Sequence, residues 1–177
     1  MLKIGITGHR DLNKNFITDY EQQVFNKLLI LQQKHNDIII YSSFADGADR
    51  IIVEQAMKLD IDFILVLPMK MEYYKNDFTL DSELEFNQLL LNAKDIIEVG
   101  LTKNSTLSGI EYHGYQRDIQ YEKAGKFISD NCNVLIALWD GIDTYLKGGT
   151  SETIKYFCSR PKNILYHILV SRKNATI

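Results

Sequence analysis

At 177 residues the chain is long enough to bury a core without disulfide staples, and one domain over residues 1–177 is expected. Apolar residues make up 45% and charged residues 24%, the balance of a soluble globular protein. The net charge of −3 is spread without a basic block, which argues against binding to a nucleic-acid backbone. Cys132 and Cys158 sit in apolar stretches with neither metal nor disulfide spacing, so buried, reduced thiols are expected. Met1 leads straight into a strand pattern without a signal-peptide profile, and no apolar run approaches membrane-spanning length. The expected location is the cytoplasm, with no membrane contact.

Leu2 to Thr7 reads as a buried first strand that runs into Gly8-His9-Arg10-Asp11. Thr18 and Glu21 have capping-box spacing, and Val24, Phe25, Leu28, Leu29 and Leu31 recur at helical intervals after them. Ile38 to Tyr41 is a second strand, broken by Ser42-Ser43-Phe44-Ala45-Asp46-Gly47-Ala48-Asp49. The helix after that loop turns Ile51, Ile52, Ala56 and Leu59 to the sheet, with Asp46 placed to cap it. Ile61 to Leu67 is a third strand that Pro68 stops, and Met69 to Phe78 is a loop with one helical turn.

Ser82 and Glu85 form a second capping box ahead of Phe86, Leu89, Leu90 and Ala93, and Ile96 to Leu101 is a fourth strand. Thr102 to Ile110 is rich in Ser, Thr, Asn and Gly, the composition of a mobile lid. A helix over Tyr112 to Asp130 buries Ile119, Ala124, Phe127 and Ile128. Val134 to Trp139 is the fifth strand, Thr150 to Cys158 a helix, and Ile164 to Val170 the sixth strand. Strands apolar throughout, separated by amphipathic helices, imply an α/β fold. The expectation is a Rossmann-like three-layer sandwich, with a mainly parallel sheet of about six strands covered by helices on both faces.

In such a sheet ligands lie at the carboxyl ends of the strands. The first loop offers Thr7, Gly8, His9 and Arg10, and the second Ser42, Ser43, Asp46, Gly47 and Asp49. The fifth offers Asp140, Gly148, Gly149, Thr150 and Glu152. Gly148 and Gly149 let backbone amides approach an anion, and the helix opening at Thr150 adds its positive end. Hydroxyls, amides and a guanidinium suit phosphate, and carboxylates suit ribose hydroxyls. Bland roles stand beside these. Arg10 is a surface ion-pair partner or an anion ligand, and Asp46 a cap or a ribose partner. His9, Asp49 and Asp140 serve their turns or the site, and Tyr121 packs or stacks on a base. His35 and His113 read as surface residues. No His, Asp or Glu pair has metal-ligand spacing, and no cofactor is expected.

Gly-Ile-Thr-Gly-His-Arg at the start, Ser-Ser-Phe-Ala-Asp-Gly-Ala-Asp after the second strand, and Tyr-Glu-Lys-Ala-Gly-Lys-Phe-Ile through Trp-Asp-Gly to Gly-Gly-Thr-Ser-Glu resemble the SLOG superfamily. That superfamily groups the DNA-processing protein A domain, the Lonely Guy cytokinin-activating enzymes and nucleotide sensors of bacterial defence systems. The resemblance covers nearly the whole chain and implies a stand-alone bacterial member. Such a member would be a Rossmann-like domain that binds a nucleotide-derived ligand, of ADP-ribose or nucleoside-phosphate type, and pairs with copies of itself.

Lonely Guy enzymes cleave an N-glycosidic bond with a Pro-Gly-Gly-x-Gly-Thr-x-x-Glu loop and an upstream arginine. Here Arg117 matches that arginine without its Arg-Lys context, Glu152 follows Thr150 one position early, and the Pro and third Gly are absent. A one-residue shift turns a helical side chain by about 100 degrees. The reading is therefore a sensor that binds a nucleotide-derived small molecule without turnover in bacterial signalling or antiphage defence. A phosphoribohydrolase is the alternative, and nucleic acid is disfavoured as a partner.

Overall fold

All six apolar runs join one sheet. The computed structural model describes residues 1–173. Its strands are β1 (Leu2–Gly8), β2 (Ile38–Ser42), β3 (Asp62–Leu67), β4 (Asp95–Glu98), β5 (Val134–Trp139) and β6 (Ile164–Leu169). They lie in the order β4-β3-β2-β1-β5-β6, and every neighbouring pair is parallel. The helices are α1 (Ile17–Lys34), α2 (Ala48–Lys58), α3 (Met71–Tyr74), α4 (Leu80–Leu90), α5 (Leu107–Ile110), α6 (Tyr115–Asp130) and α7 (Thr150–Cys158). The expected Rossmann-like α/β architecture is present.

Strand alternation divides the core between the two faces. Ile38 and Ile40 of β2, Phe63, Leu65 and Leu67 of β3, and Val134, Ile136 and Leu138 of β5 pack with Val24 and Leu28 of α1, Ile52 of α2 and Phe86 of α4. On the opposite face Ile39, Tyr41, Ile64 and Val66 meet Ala124 and Ile128 of α6. Leu135 and Ala137 meet Ile154 and Phe157 of α7 there. Both faces are apolar, which is why the strands read as unbroken hydrophobic runs. β2 extends the sheet to one side of β1 and β5 to the other, so the order reverses between β1 and β5. A crevice opens at such a reversal.

Several local expectations are corrected. α1 starts at Ile17 with Phe16 as its N-cap residue, and no side chain caps it, so the Thr18–Glu21 spacing is not a capping box. α4 is capped by Thr79, whose hydroxyl accepts from the Ser82 amide, not by Ser82. Asp46 does not cap α2, whose N-cap is Gly47. β4 ends at Glu98, short of Leu101. The stretch read as a lid is pinned: Gln120 accepts from the Thr102 amide at 2.7 Å, Gln116 from the Thr106 amide at 2.7 Å, and Ile110 is fully buried. Cys132 is buried as expected, but Cys158 is exposed at the end of α7. No helix among the described residues is long and apolar enough to cross a membrane.

Candidate functional site

The carboxyl ends of β1, β2 and β5 do converge. Their loops line a crevice of about 310 Å³ with Thr7, Gly8, Arg10, Ser43, Asp49, Gly148 and Thr150, and α6 closes it with Tyr121. Close backbone approach makes this possible. A Cβ at Gly8 would stand 2.3 Å from the Ala48 Cβ and 2.7 Å from the Leu138 carbonyl, so glycine lets β1, α2 and β5 meet at one point. Gly148 has φ of 70° and lies flat on α6, where a Cβ would fall 2.6 Å from the Asp118 carbonyl. Gly8, Arg10, Gly148 and Thr150 also border a second depression of about 380 Å³, lined further by His9, Gly149, Ser151 and Arg172. The two together form a trough over the start of α7.

Other expected site residues serve the scaffold. Ser42 is fully buried, and its hydroxyl donates to Asp49 Oδ2 at 2.8 Å, which also accepts from the Ser43 amide at 3.0 Å. Burial pushes the Asp49 carboxyl above the usual aspartate range despite those two bonds. Asp49 thus ties down its own loop while showing one edge to the crevice. Phe44 holds the loop's far end, with φ of 54° and a fully buried ring set edge-on to Phe63 and Phe86. Asp46 accepts from Ser82 Oγ at 2.6 Å and pairs with Arg50 at 2.9 Å, fastening the loop to α4. Gly47 packs on the first loop, where the His9 carbonyl accepts from the Ala48 amide. His9 Nε2 lies 2.9 Å from Asp140 Oδ1. Burial would raise the Asp140 carboxyl, but the Ile142 amide at 2.9 Å and His9 outweigh it and hold the group low.

Arg117 is not a ligand-facing arginine. It is 1% exposed, and its guanidinium donates to Asp77 Oδ1, the Tyr121 hydroxyl and the carbonyls of Tyr73 and Ile110. Glu152 is likewise occupied, accepting from the Gly148 amide at 2.5 Å. Of the two groups a glycosidic cleavage would need, Arg117 is enclosed by internal bonds and Glu152 is held at the Gly148 amide, and the phosphoribohydrolase alternative is not favoured.

The sequence reading missed Asp77, Tyr74 and Thr153, which also line the crevice. Asp77 is the busiest of them: Arg117 holds its Oδ1, while Tyr121 and Arg10 share its Oδ2. Burial and then the Asp77 carboxylate push the Tyr121 hydroxyl up, which keeps it a donor. A signal was available, since Tyr73 to Phe78 follows the end of the third strand, on the ligand side of the sheet. Arg10 is the crevice's cation with room to act. Its side chain is 41% exposed, 3.3 Å from Asp77 Oδ2, with the guanidinium 5.6 Å from the Tyr121 ring centroid.

Comparison with solved structures fits this geometry to a known fold. DNA processing protein A of Streptococcus pneumoniae superposes with a TM-score of 0.61 at 15% identity, over 97% of this chain and 51% of that one. DNA processing protein A of Helicobacter pylori, described for its single-stranded DNA binding mode, gives 0.58 at 18% identity, over 98% and 67%. That likeness establishes a shared fold. The chain spans about half the length of the first of these structures. No family model matches the sequence, and no curated protein matches it.

The expectation of a small-molecule sensor with nucleic acid disfavoured is corrected by these neighbours, which are DNA processing proteins, one of them studied for holding a single strand. That expectation rested on the net charge of −3, an average over the whole chain. Asp77 is paired with Arg117 and Arg10, and burial pushes the Asp49 carboxyl up toward its neutral form, so these two carboxyls weigh less at the crevice than a formal count implies.

Proposed function

We propose that this domain binds single-stranded DNA in the trough over the start of α7, as a cytoplasmic member of the SLOG superfamily. The observation that carries the reading is that two depressions adjoin over the start of α7. They share Gly8, Arg10, Gly148 and Thr150, a shape that suits a chain crossing the surface. In this reading the amides opening α7 and the Arg10 guanidinium take successive phosphates, and Tyr121 offers part of a ring to a base. The likeness to DNA processing proteins supports the choice of polymer. The free thiols of Cys132 and Cys158 support the compartment.

The test is fluorescence anisotropy with labelled oligothymidylate at low salt. Binding is expected to weaken as salt rises, and Arg10→Ala to lose about 1.5–3 kcal/mol, the scale of a charge-assisted hydrogen bond. The Arg10 side chain is 41% exposed and Asp77 keeps Arg117 as its counter-charge, so the variant is expected to keep its fold, which its urea melt checks. Absence of binding by the parent protein at low salt would overturn the proposal.

A further inference from the structure

We infer that a second groove, on the far side of α6 from the crevice, carries the phosphate backbone of the same strand onward. It rests on the single-strand reading above and extends it to residues with no part in the trough. The groove measures about 380 Å³ and is bordered by Tyr115, Ile119, Glu122, Lys123, Lys126 and Lys147. Three ammonium groups face one carboxylate, so it is locally cationic in a chain whose net charge is −3.

The carboxylate organises the cations without cancelling them. Glu122 bridges Lys126 and Lys147, at 2.9 Å from the latter, and those lysine side chains remain 42% and 41% exposed. Each ammonium has three donors, so each keeps some for a phosphate. Lys123 is turned to the carbonyls of Gly100 and Leu101, at 3.2 Å from each, which fixes its charge at the groove wall. Tyr115 is 63% exposed at the groove, where a base can stack on it.

Continuity with the crevice comes from adjacent residues. Gly148 lies on the α6 backbone and lines the crevice, and Lys147, its neighbour, lines the groove. A strand leaving the crevice passes over α6 along the Gly148–Lys147 segment that lies on it and meets a cationic wall. The chemistry selects a polyanion with regularly spaced phosphates, and a ligand confined to the crevice would not reach it.

The experiment compares an oligothymidylate of about 20 nucleotides with one of about three, for the parent, Arg10→Ala and the double variant Lys126→Gln/Lys147→Gln, across a salt series. Losing two phosphate contacts is expected to flatten the log-affinity against log-salt slope for the long oligomer by about 1.4. It is expected to weaken that oligomer roughly tenfold or more at about 0.1 M salt and to leave the short one unchanged. If the double variant matches the parent on the long oligomer while Arg10→Ala still loses, the inference is overturned and the trough reading stands. An equal loss on both oligomers overturns it as well, because it marks a general disturbance. If the parent binds neither oligomer, the single-strand reading falls and this inference with it.

Discussion

Asp77 shows how one carboxylate can hold a binding wall together. With its side chain 2% exposed, it takes hydrogen bonds from Arg117, Tyr121 and Arg10. Its removal would strand the Arg117 guanidinium, also 2% exposed at the side chain, without a counter-charge. Asp77→Ala is accordingly expected to lower unfolding free energy by about 3–5 kcal/mol in urea melts. The loss should far exceed that of Arg10→Ala, because Arg10 reaches water. At this scale the sequence told half the story. Thr7, Gly8, Arg10, Gly148 and Thr150 were identifiable from strand-end position and type, and they line the crevice. Arg117 was misjudged, since nothing in a linear string says that a guanidinium will be enclosed by carbonyls from residues 73 and 110. Charged groups whose partners lie dozens of positions away are where such reading fails.

Among elements, periodicity was legible and end chemistry was not. Val134–Trp139 and Thr150–Cys158 stand where the pattern put them, because apolar spacing is set by the face each element buries. Caps depend on single atoms. Ser82 and Glu85 have the spacing of a cap pair, yet both reach Arg50, at 3.0 Å and 2.7 Å, while Thr79 closes the helix three residues earlier. Thr79→Ala is expected to cost about 1 kcal/mol, within the range of lost N-caps, measured by thermal or urea unfolding. A cost near zero would mean that packing of Phe86 and Leu89 alone holds α4 in place.

For the whole molecule, the doubly covered parallel sheet followed from the alternation of apolar runs and amphipathic stretches, and the reversal between β1 and β5 brought the expected loops together. Net charge is a coarse guide at this scale, because it averages over ion pairs such as Asp77 with Arg117 and Arg10 inside the fold. The two thiols report on that fold as a unit. Cys132 is buried, and burial pushes its thiol up to about 12, whereas Cys158 is exposed. A disulfide reagent is expected to modify one thiol in native protein at neutral pH and both in denaturant. Rapid reaction of both without denaturant would show that the β5 end of the sheet opens readily.

α6 partitions the surface, with Tyr121, Ala124, Gly125 and Ile128 bordering one compartment and Tyr115, Ile119, Lys123 and Lys126 the other. A partition of that kind tolerates changes of residue type far better than changes of length. A single inserted or deleted position within 115–130 would turn every residue beyond it by about 100 degrees and carry it off its border, so length variation among related sequences belongs in the segments that flank this helix.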